Sequence, residues 1–267
     1  MALSNSKSQL LLFPNFLSLT IFLFLLFPFA NSISFNFSSF QPNNQGIYYQ
    51  GGAFPANGVI QLTEQQKDSV GRASFALPVH LWDCKTGNLT DFNTHFSFII
   101  QPINLNTPVG DGLSFFLSPF DARIPENSAG GFLALIDSNT AFNHTNNNQI
   151  VAVEFDTYQN AWDPSSHHVG IDVNGIESVT YLTWNTTLAN NRTANAWVKY
   201  NSTIKTLSVY LTYEENPVFQ GNYILSYVVD LREVLPEWVS VGFSAATGYN
   251  IEMNKIVSWT FNSTLGG

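Results

Sequence analysis

The sequence contains one cysteine, Cys84, among its 267 residues. No disulfide can form within the chain, so its core must be held together by packing. Cys84 lies in the polar segment Asp83–Gly87, which predicts a turn with an exposed thiol. Such a thiol either has no role at the surface or forms a disulfide with another chain.

Charge is scarce as well, and its balance is acidic. Charged residues make up 11% of the chain, with 19 Asp plus Glu against 10 Lys plus Arg. This balance excludes an extensive positively charged surface that could bind phosphate backbones, so we expect no nucleic-acid partner. The many Asn, Ser, Thr and aromatic residues favour neutral hydrogen bonds and flat apolar contacts, which are the contacts that sugars require.

Long apolar runs are missing downstream of residue 32. The run at the start, Leu10 to Ala30, follows a polar leader and ends in the cleavage pattern Ala30-Asn31-Ser32. We predict that residues 1–32 are a signal peptide, and the alternative is a retained membrane anchor. The mature protein is then secreted to the apoplast or vacuole, or displayed at the cell surface if it is part of a receptor.

Glycosylation sequons are frequent in the remainder of the chain. Their density supports passage through the secretory pathway and predicts a glycoprotein. The acceptor residues are Asn36, Asn88, Asn143, Asn185, Asn191, Asn201 and Asn262.

Long helical patterns are also missing, and only Leu231–Leu235 indicates a helix. Short β-branched or aromatic runs alternate with turns such as Pro55–Gly58 and Thr86–Asn88, which predicts an all-β sandwich or jelly roll. No break in composition marks a second domain, so we predict one domain over residues 33–265. The predicted strands are Ile33–Phe40, Arg72–Ala76, Phe92–Ile100, Leu113–Ser118, Phe132–Ile136, Ile150–Tyr158, Val169–Val173, Ser178–Trp184, Ala196–Tyr200, Thr206–Tyr213, Tyr223–Val229, Val239–Ser244 and Lys255–Phe261.

One stretch, Val151–Val173, gathers acidic residues without a matching base. Alternation on a strand places Glu154, Asp156 and Tyr158 on one face. Neighbouring acids there lie roughly 7 Å apart and repel by about 2 kcal/mol at an effective dielectric of about 20. No Lys or Arg occurs between Arg123 and Arg192, so bound cations are the expected counter-charge.

The donor set is suited to two different cations. Oxygens from Asp156, Asn160, Asp163 and a main-chain carbonyl suit calcium. Glu154, Asp156, Asp163 and the imidazole of His168 suit manganese, with Asp156 and Asp163 bridging the pair. The alternative is a polar loop in which His168 is an ordinary histidine at a strand end.

The stretch VAVEFDTYQNAWDPSSHHVGID resembles the metal-binding signature of the legume lectins. The similarity continues in SFNFSSF, GVIQL, VGRASFA, DFNTHFSFII, VGDGLSFFLSP, GGFLALI and LPEWVSVGFSAATG, and it spans Ile33 to about Leu265. The sequences of the segments DFNTHFSFII, NPVF and DLREVLPEWV most resemble the ectodomains of lectin-domain receptor kinases. The resemblance implies a concanavalin-like jelly roll that binds carbohydrate without catalysis and uses Ca²⁺ and Mn²⁺.

The resemblance also implies the residues of a sugar site. Asp111 would accept hydrogen bonds from two sugar hydroxyls and would follow a cis peptide, with Gly110 where the family usually has alanine. The backbone N–H of Gly131 would reach the sugar. Asn160 would bind calcium through its carbonyl oxygen and the sugar through its amide N–H. Tyr158 would give its main-chain carbonyl to calcium and its ring to the sugar.

A variable loop, Tyr249–Glu252, would tune the choice of monosaccharide, with Asn250 as the expected additional hydrogen-bonding residue. Trp162 is expected to pack under the metal loop. The implied partners are mono- or oligosaccharides and glycoproteins, and the family often forms homodimers or homotetramers by joining sheets edge to edge. Glycans at Asn201 or Asn262 would obstruct such an edge.

Two other functions compete with a free lectin. A receptor ectodomain with this fold would sense a glycan or a ligand that is not a sugar. Jelly-roll glycoside hydrolases also place a Glu-x-Asp pair on one strand, but they need a second catalytic carboxylate. The positions that usually supply it hold Tyr158 and Gln159, which disfavours a hydrolase.

Overall fold

The computed structural model describes residues 32–266 except 44, 105–107, 187, 189–190, 216 and 220. All of the predicted signal peptide except Ser32 lies outside the described residues. In the part of the chain that is described, no helix has the length and apolarity to cross a bilayer.

Two antiparallel sheets make up the fold. The first sheet contains β1 (Ser32–Phe37), β3 (Phe54–Ala56), β4 (Val59–Gln61), β7 (Thr90–Pro102), β12 (Ala194–Asn201), β13 (Thr206–Thr212), β14 (Leu225–Val228) and β16 (Glu252–Leu265). The second contains β2 (Ile47–Gly51), β5 (Val70–Phe75), β6 (Val79–His80), β8 (Gly112–Pro119), β9 (Val151–Asp156), β10 (His168–Val173), β11 (Thr180–Thr183) and β15 (Trp238–Ala246). The short helix α1 (Leu231–Val234) precedes β15.

Strand order explains how distant segments reach one site. The second sheet runs β11-β10-β9-β8-β15-β5-β2, so β9 lies between β10 and β8. Gly112 at the start of β8 is paired with both Asp156 at the end of β9 and Ala246 at the end of β15. The loops that precede β8 and follow β9 and β15 therefore meet at one end of the sheet.

The main core fills the space between the sheets and is rich in aromatic rings. Phe96 of β7 packs 5.8 Å from Phe115 of β8, and Phe243 of β15 packs 4.8 Å from Trp259 of β16, measured between ring centroids. These rings come from opposite sheets and are fully buried or nearly so. Their contacts hold the two sheets together by burying apolar area.

A smaller core lies on the other face of the second sheet, beneath the loops that follow β8 and β9. Phe116 of β8 and Ala152 of β9 alternate onto this face and pack with Leu133, Leu135 and Ile136. Both faces of β8 and β9 are thus covered, which explains their continuous burial. Trp162 belongs to this cluster and lies 5.2 Å from the ring of Phe132, as expected for packing under the metal loop.

The prediction of an all-β sandwich is confirmed, and α1 confirms the predicted helix. Every predicted strand except one overlaps an observed strand. The predicted turn at Pro55–Gly58 is partly wrong, because Pro55 and Ala56 belong to β3. Three strands, β2, β3 and β6, were not predicted, whereas β4 lies within GVIQL, which the resemblance implies to be one of the opening strands.

The predicted strand Phe132–Ile136 is wrong. Gly130–Phe132 forms a single 3-10 turn, and Leu133 and Ala134 both have positive φ angles, of 51° and 57°. The guanidinium of Arg72 donates to the carbonyls of Ala134 at 2.7 Å and Leu135 at 3.1 Å. The segment is apolar because it covers the smaller core, and its carbonyls are bound by a side chain and not by a neighbouring strand.

Candidate functional site

The acidic residues of β9 face a histidine on β10. Asp156 is paired with His168, and the Nε2 atom of His168 lies 2.8 Å from Oε1 of Glu154. Nδ1 of the same ring is 4.0 Å from Oδ1 of Asp156. All three side chains are buried. Gly170 is paired with Glu154, and a Cβ on Gly170 would collide with the Ser178 hydroxyl and the Glu154 carboxylate.

The loop after β9 folds back on its own acidic groups. The backbone N–H of Tyr158 donates to Oδ1 of Asp156 at 2.8 Å, and that of Asn160 donates to Oδ2 of Asp163 at 2.5 Å. The backbone N–H of Asp163 donates in turn to the Asn160 carbonyl at 3.2 Å. These bonds bring the predicted ligands together at the end of the second sheet.

Electrostatics at this end of the sheet call for positive charge. Burial, followed by repulsion from Glu154, raises the pKa of Asp156 well above its usual value. Burial raises the pKa of Asp163 to about 6. Burial lowers the pKa of His168, but the hydrogen bond to Glu154 and the negative charges of Glu154 and Asp163 together outweigh burial, so the net shift is upward. A buried group of carboxylates with a single imidazole is therefore short of counter-charge.

Unpartnered buried atoms support the same conclusion. Among the described residues, Asn160 Oδ1, His168 Nδ1 and Asp172 Oδ2 are buried and have no hydrogen-bond partner. Oxygen and imidazole donors left without partners in a polar, acidic cluster fit divalent cations. The residues present therefore fit the calcium and manganese pair that the resemblance implies.

Asp111 lies next to this cluster, where β8 begins. The Gly110–Asp111 peptide is cis, as the resemblance implies. The Asp111 side chain is 4% exposed, and its Oδ2 has no hydrogen-bond partner within the described chain. Burial raises the pKa of Asp111 to about 7. A Cβ on Gly248 would lie 2.9 Å from Oδ2, so glycine keeps the space beside this carboxylate open.

The glycine pair after Ala129 lies against the same space. A Cβ on Gly130 would be 3.9 Å from both carboxylate oxygens of Asp111, and a Cβ on Gly131 would overlap the Asn160 carboxamide. Asp111, Gly131 and Asn160 are thus brought together, although they are far apart in sequence.

Aromatic side chains border the space. Tyr158 is 40% exposed and Tyr249 is 82% exposed, so both rings are open to solvent. The ammonium of Lys67 lies 3.6 Å from the centroid of the Tyr249 ring. The side-chain amide of Asn250 donates to the carbonyl of Val109 at 3.5 Å, next to Gly110. The predicted variable loop therefore lies beside the loop of Asp111.

Glu252 corrects the predicted extent of this loop. It is the first residue of β16 and is fully buried, so it faces the interior and not a ligand. A groove of about 660 Å³ lies elsewhere, lined by residues that include Phe54, Ile99 and Met253. None of the predicted site residues lines that groove.

Sequence reasoning missed several residues that support the site. The Ser178 hydroxyl donates to Glu154 and also, at 3.0 Å, to Asp172. Asp172 is buried, and burial raises its pKa well above the usual value. It follows an isoleucine in the apolar run Val169–Val173, and an acid inside a buried strand was the available signal. Glu252 and Arg72 gave no local signal, because their partners are distant in sequence.

The sequons are accessible to different degrees. The acceptor residues Asn36, Asn143, Asn185, Asn191 and Asn262 are exposed, whereas Asn88 and Asn201 are partly buried. The Asn201 side-chain carbonyl oxygen accepts the backbone N–H groups of Thr203 and Ile204. Their glycosylation stays a prediction.

Comparisons with known proteins give a consistent result. The sequence profile described as "Legume lectin domain" matches residues 32–267. Lectin 7 of Medicago truncatula is 45% identical over 271 residues, with 99% of each chain covered. Lectin II from Ulex europaeus superimposes with a TM-score of 0.78 at 39% identity, covering 87% of this chain and 99% of its own.

A third similar protein is Lectin I from Ulex europaeus, whose structure was solved with the methyl glycoside of alpha-L-fucose. It has a TM-score of 0.79 and 37% identity, and the match covers 88% of this chain and 99% of that one. The profile match and these relatives show that the chain belongs to the legume lectin family and carries its carbohydrate-binding domain.

Proposed function

We propose that this chain binds carbohydrate through Asp111 and its neighbours, without catalysis and with dependence on calcium and manganese. The observation that carries the proposal is the buried Asp111 carboxylate, whose unpartnered Oδ2 adjoins a glycine-lined space beside Asn160. A buried acceptor without a partner costs free energy unless a ligand supplies a donor. Sugar hydroxyls are donors of that kind.

Calcium would be held by Asp156, Asn160, Asp163 and the main-chain carbonyl of Tyr158, and manganese by Glu154, Asp156, Asp163 and His168. The cations supply positive charge that keeps these carboxylates ionised and fixes the loop that carries Asn160. The buried, unpartnered oxygens described above support this assignment.

The residues of the chain then have separate tasks toward the sugar. Asp111 accepts hydrogen bonds from two hydroxyls, and the backbone N–H of Gly131 and the amide of Asn160 donate to sugar oxygens. The rings of Tyr158 and Tyr249 cover apolar faces, and Asn250 adds a polar contact that contributes to specificity. Because this geometry is assembled before the ligand arrives, the ordering cost of binding is reduced.

We propose mono- and oligosaccharides, including those on glycoproteins, as the ligands. The complex of Ulex europaeus Lectin I with a methyl fucoside supports a small hydroxylated ligand. Affinity at one site is expected to be weak and to gain strength from multivalency, in a homodimer or homotetramer. We further propose residues 1–32 as signal peptide, residues 33–265 as the binding domain, and an extracellular or vacuolar location.

A glycan array with and without a chelator tests the proposal. We expect binding to disappear in chelator and to return with calcium plus manganese. Asp111→Asn is expected to abolish retention, because a neutral amide cannot accept two charge-assisted hydrogen bonds. Asp121→Asn, on an exposed residue, is the matched control. Metal-independent binding, or full binding by Asp111→Asn, would refute the assignment.

The same material separates the alternatives. A hydrolase would release reducing ends from polymeric glycans, whereas a lectin would be retained on a sugar column and release none. A receptor ectodomain for a non-sugar ligand would bind no glycan on the array even when loaded with both ions.

A further inference from the structure

A second group of metal-ligating side chains lies at the opposite end of β15 from Asp111. The strand β6 is paired with β15, with His80 opposite Trp238. The other end of β15, at Ala246, is paired with Gly112 beside Asp111. Eight residue steps along a strand separate these ends by about 27 Å, so this group is distinct from the lectin site.

The backbone fixes the group in place. The N–H of Leu81 donates to the Glu237 carbonyl at 2.8 Å, which holds the chain after β6 against the residue before β15. The hairpin that follows is closed by the N–H of Asp83 donating to the Asn88 carbonyl at 2.9 Å. His80, Asp83 and Glu237 are therefore positioned by paired backbone and not by mobile tails.

The side chains converge closely. One ligand atom from each of His80, Asp83 and Glu237 lies within 4.8 Å of the other two. The His80 ring is 7% exposed and stacks on Trp238 at a centroid distance of 4.2 Å. Its Nε2 is 3.1 Å from Glu237 Oε1, and its Nδ1 is buried without a partner among the residues described.

Cys84 follows Asp83 in the chain and lies beside this group, although it is not one of the three residues whose ligand atoms converge. Its backbone N–H donates to Glu237 Oε1 at 3.3 Å, and its thiol interacts with the same carboxylate. That interaction raises the pKa of the Cys84 thiol, whereas the backbone N–H of Thr86 lowers the pKa of Asp83 and the bond from His80 lowers that of Glu237. The three converging residues thus offer two carboxylates and an imidazole, and the exposed thiol of Cys84 lies beside Glu237.

We propose that His80, Asp83, Cys84 and Glu237 form a binding site for a divalent ion of the zinc class, separate from the calcium and manganese pair. Calcium selects oxygen ligands in larger number, whereas zinc takes four ligands from nitrogen, sulfur and carboxylate oxygen. On binding, the Cys84 thiol forms a metal–sulfur bond and releases its proton to solvent. The ion would join the connection between β6 and β7 to the start of β15 in a domain that has no disulfide.

The chain contains a second histidine–carboxylate pair, which is more exposed. His144 and Glu177 also form a histidine–carboxylate pair at 3.1 Å. Their side chains are 39% and 50% exposed, compared with 7% and 26% for His80 and Glu237. This exposed pair is the matched control, because a simple ion pair predicts equal behaviour for both.

The test is calorimetric titration of zinc chloride into folded protein saturated with calcium and manganese. We expect one zinc ion per chain, a rise in thermal midpoint, and a proton release that is seen as a dependence of the heat on the ionisation enthalpy of the buffer. Glu237→Gln, which preserves shape and hydrogen bonding, is expected to weaken zinc binding by roughly 100-fold. His80→Ala should do the same, and His144→Ala should leave zinc binding unchanged.

Cys84→Ser separates the role of the thiol from that of the cluster. We expect weaker binding with one proton fewer released per ion. The site is refuted if the saturated protein takes up no zinc, or if Glu237→Gln and His80→Ala bind zinc as the unaltered protein does. The latter result would mean that zinc had bound at the proposed calcium and manganese sites instead. Sugar binding is measured in parallel and is expected to be the same in all these variants.

Discussion

The hydroxyl of Thr157 donates to the buried carboxylate of Glu252, with both carboxylate oxygens at 2.9 Å. Thr157 stands between the proposed metal ligands Asp156 and Tyr158, and the backbone N–H of Gly110 donates to the same carboxylate. One buried side chain thus connects the loop of Asp111, the metal loop and the start of β16.

Replacing Glu252 with alanine is expected to weaken both the fold and the site. The hydroxyl of Thr157 and the N–H of Gly110 would lose their acceptor, at about 1–3 kcal/mol for each unsatisfied group. We expect a lower thermal midpoint and weaker sugar retention, with a smaller effect for Glu252→Gln. Glu126→Ala, on an exposed residue, serves as the control. Unchanged retention in Glu252→Ala would show that the connection does not support the site.

The same residue predicts a pH dependence of stability. Burial raises the pKa of Glu252 to about 8 from an ordinary value of 4.5. A carboxyl with a raised folded pKa binds its proton more tightly in the folded state, so its contribution to stability is full below about pH 4.5 and declines as the pH rises to about 8. With both ions present, the thermal midpoint of the unaltered protein should therefore fall relative to that of Glu252→Gln as the pH rises through this window. Parallel curves would contradict the prediction.

Arg72 is expected to hold in place the loop that carries Gly130 and Gly131. It is 2% exposed, and its guanidinium binds the carbonyls of Ala134 and Leu135. Arg72→Met would leave both buried carbonyls unpaired, so we expect a loss of several kcal/mol in the free energy of unfolding, measured by urea denaturation. Arg123→Met, on an exposed side chain, should cost roughly 0.5 kcal/mol or less. Equal losses in the two variants would contradict the assigned role.

Gly131 and Asn160 are expected to be coupled. A Cβ on Gly131 would occupy the position of the Asn160 carboxamide, so Gly131→Ala should displace that side chain and reduce both calcium affinity and sugar affinity. In an Asn160→Ala background the alanine at position 131 has nothing to displace and should add little. A double-mutant cycle on sugar affinity measures this coupling. Additive losses would mean that Gly131 acts independently of Asn160.

Removal of the cations should destabilise the domain more at high pH. In cation-free protein, burial raises the pKa of Asp163 to about 6, and burial together with repulsion from Glu154 raises the pKa of Asp156 well above its usual value. These shifts favour the folded apo form below the ordinary carboxyl pKa of about 4, and the benefit is lost as the pH rises through the folded values. Calcium and manganese also require deprotonated ligands. The gain in thermal midpoint on adding both ions should therefore be larger at about pH 8 than at about pH 5. A gain that is independent of pH would argue against cation binding at these carboxylates.

The fold could be predicted because its signals are local. Alternation in Leu113–Ser118 and Val151–Asp156 and the turn residues between strands are visible in short windows. The short strand β6 was missed because two residues carry no periodicity. The segment Phe132–Ile136 was misassigned because apolar composition alone does not tell a strand from a loop that covers a core.

The site was predictable only in part, for a related reason. The acidic residues of β9 and the loop after it are close in sequence, so their spacing predicted cations. The support from Glu252 joins residues 95 positions apart, and that from Arg72 joins residues 62 apart. Contacts of that separation depend on strand order, which no short window contains.

The aromatic rings packed between the two sheets determine what the chain needs in order to fold. Phe96, Phe115, Phe243 and Trp259 bring the sheets together through ring packing, and the chain has no second cysteine with which to cross-link them. Maturation of the domain therefore needs neither an oxidant nor a disulfide isomerase. Folding of a single chain is thus independent of the redox state of its surroundings.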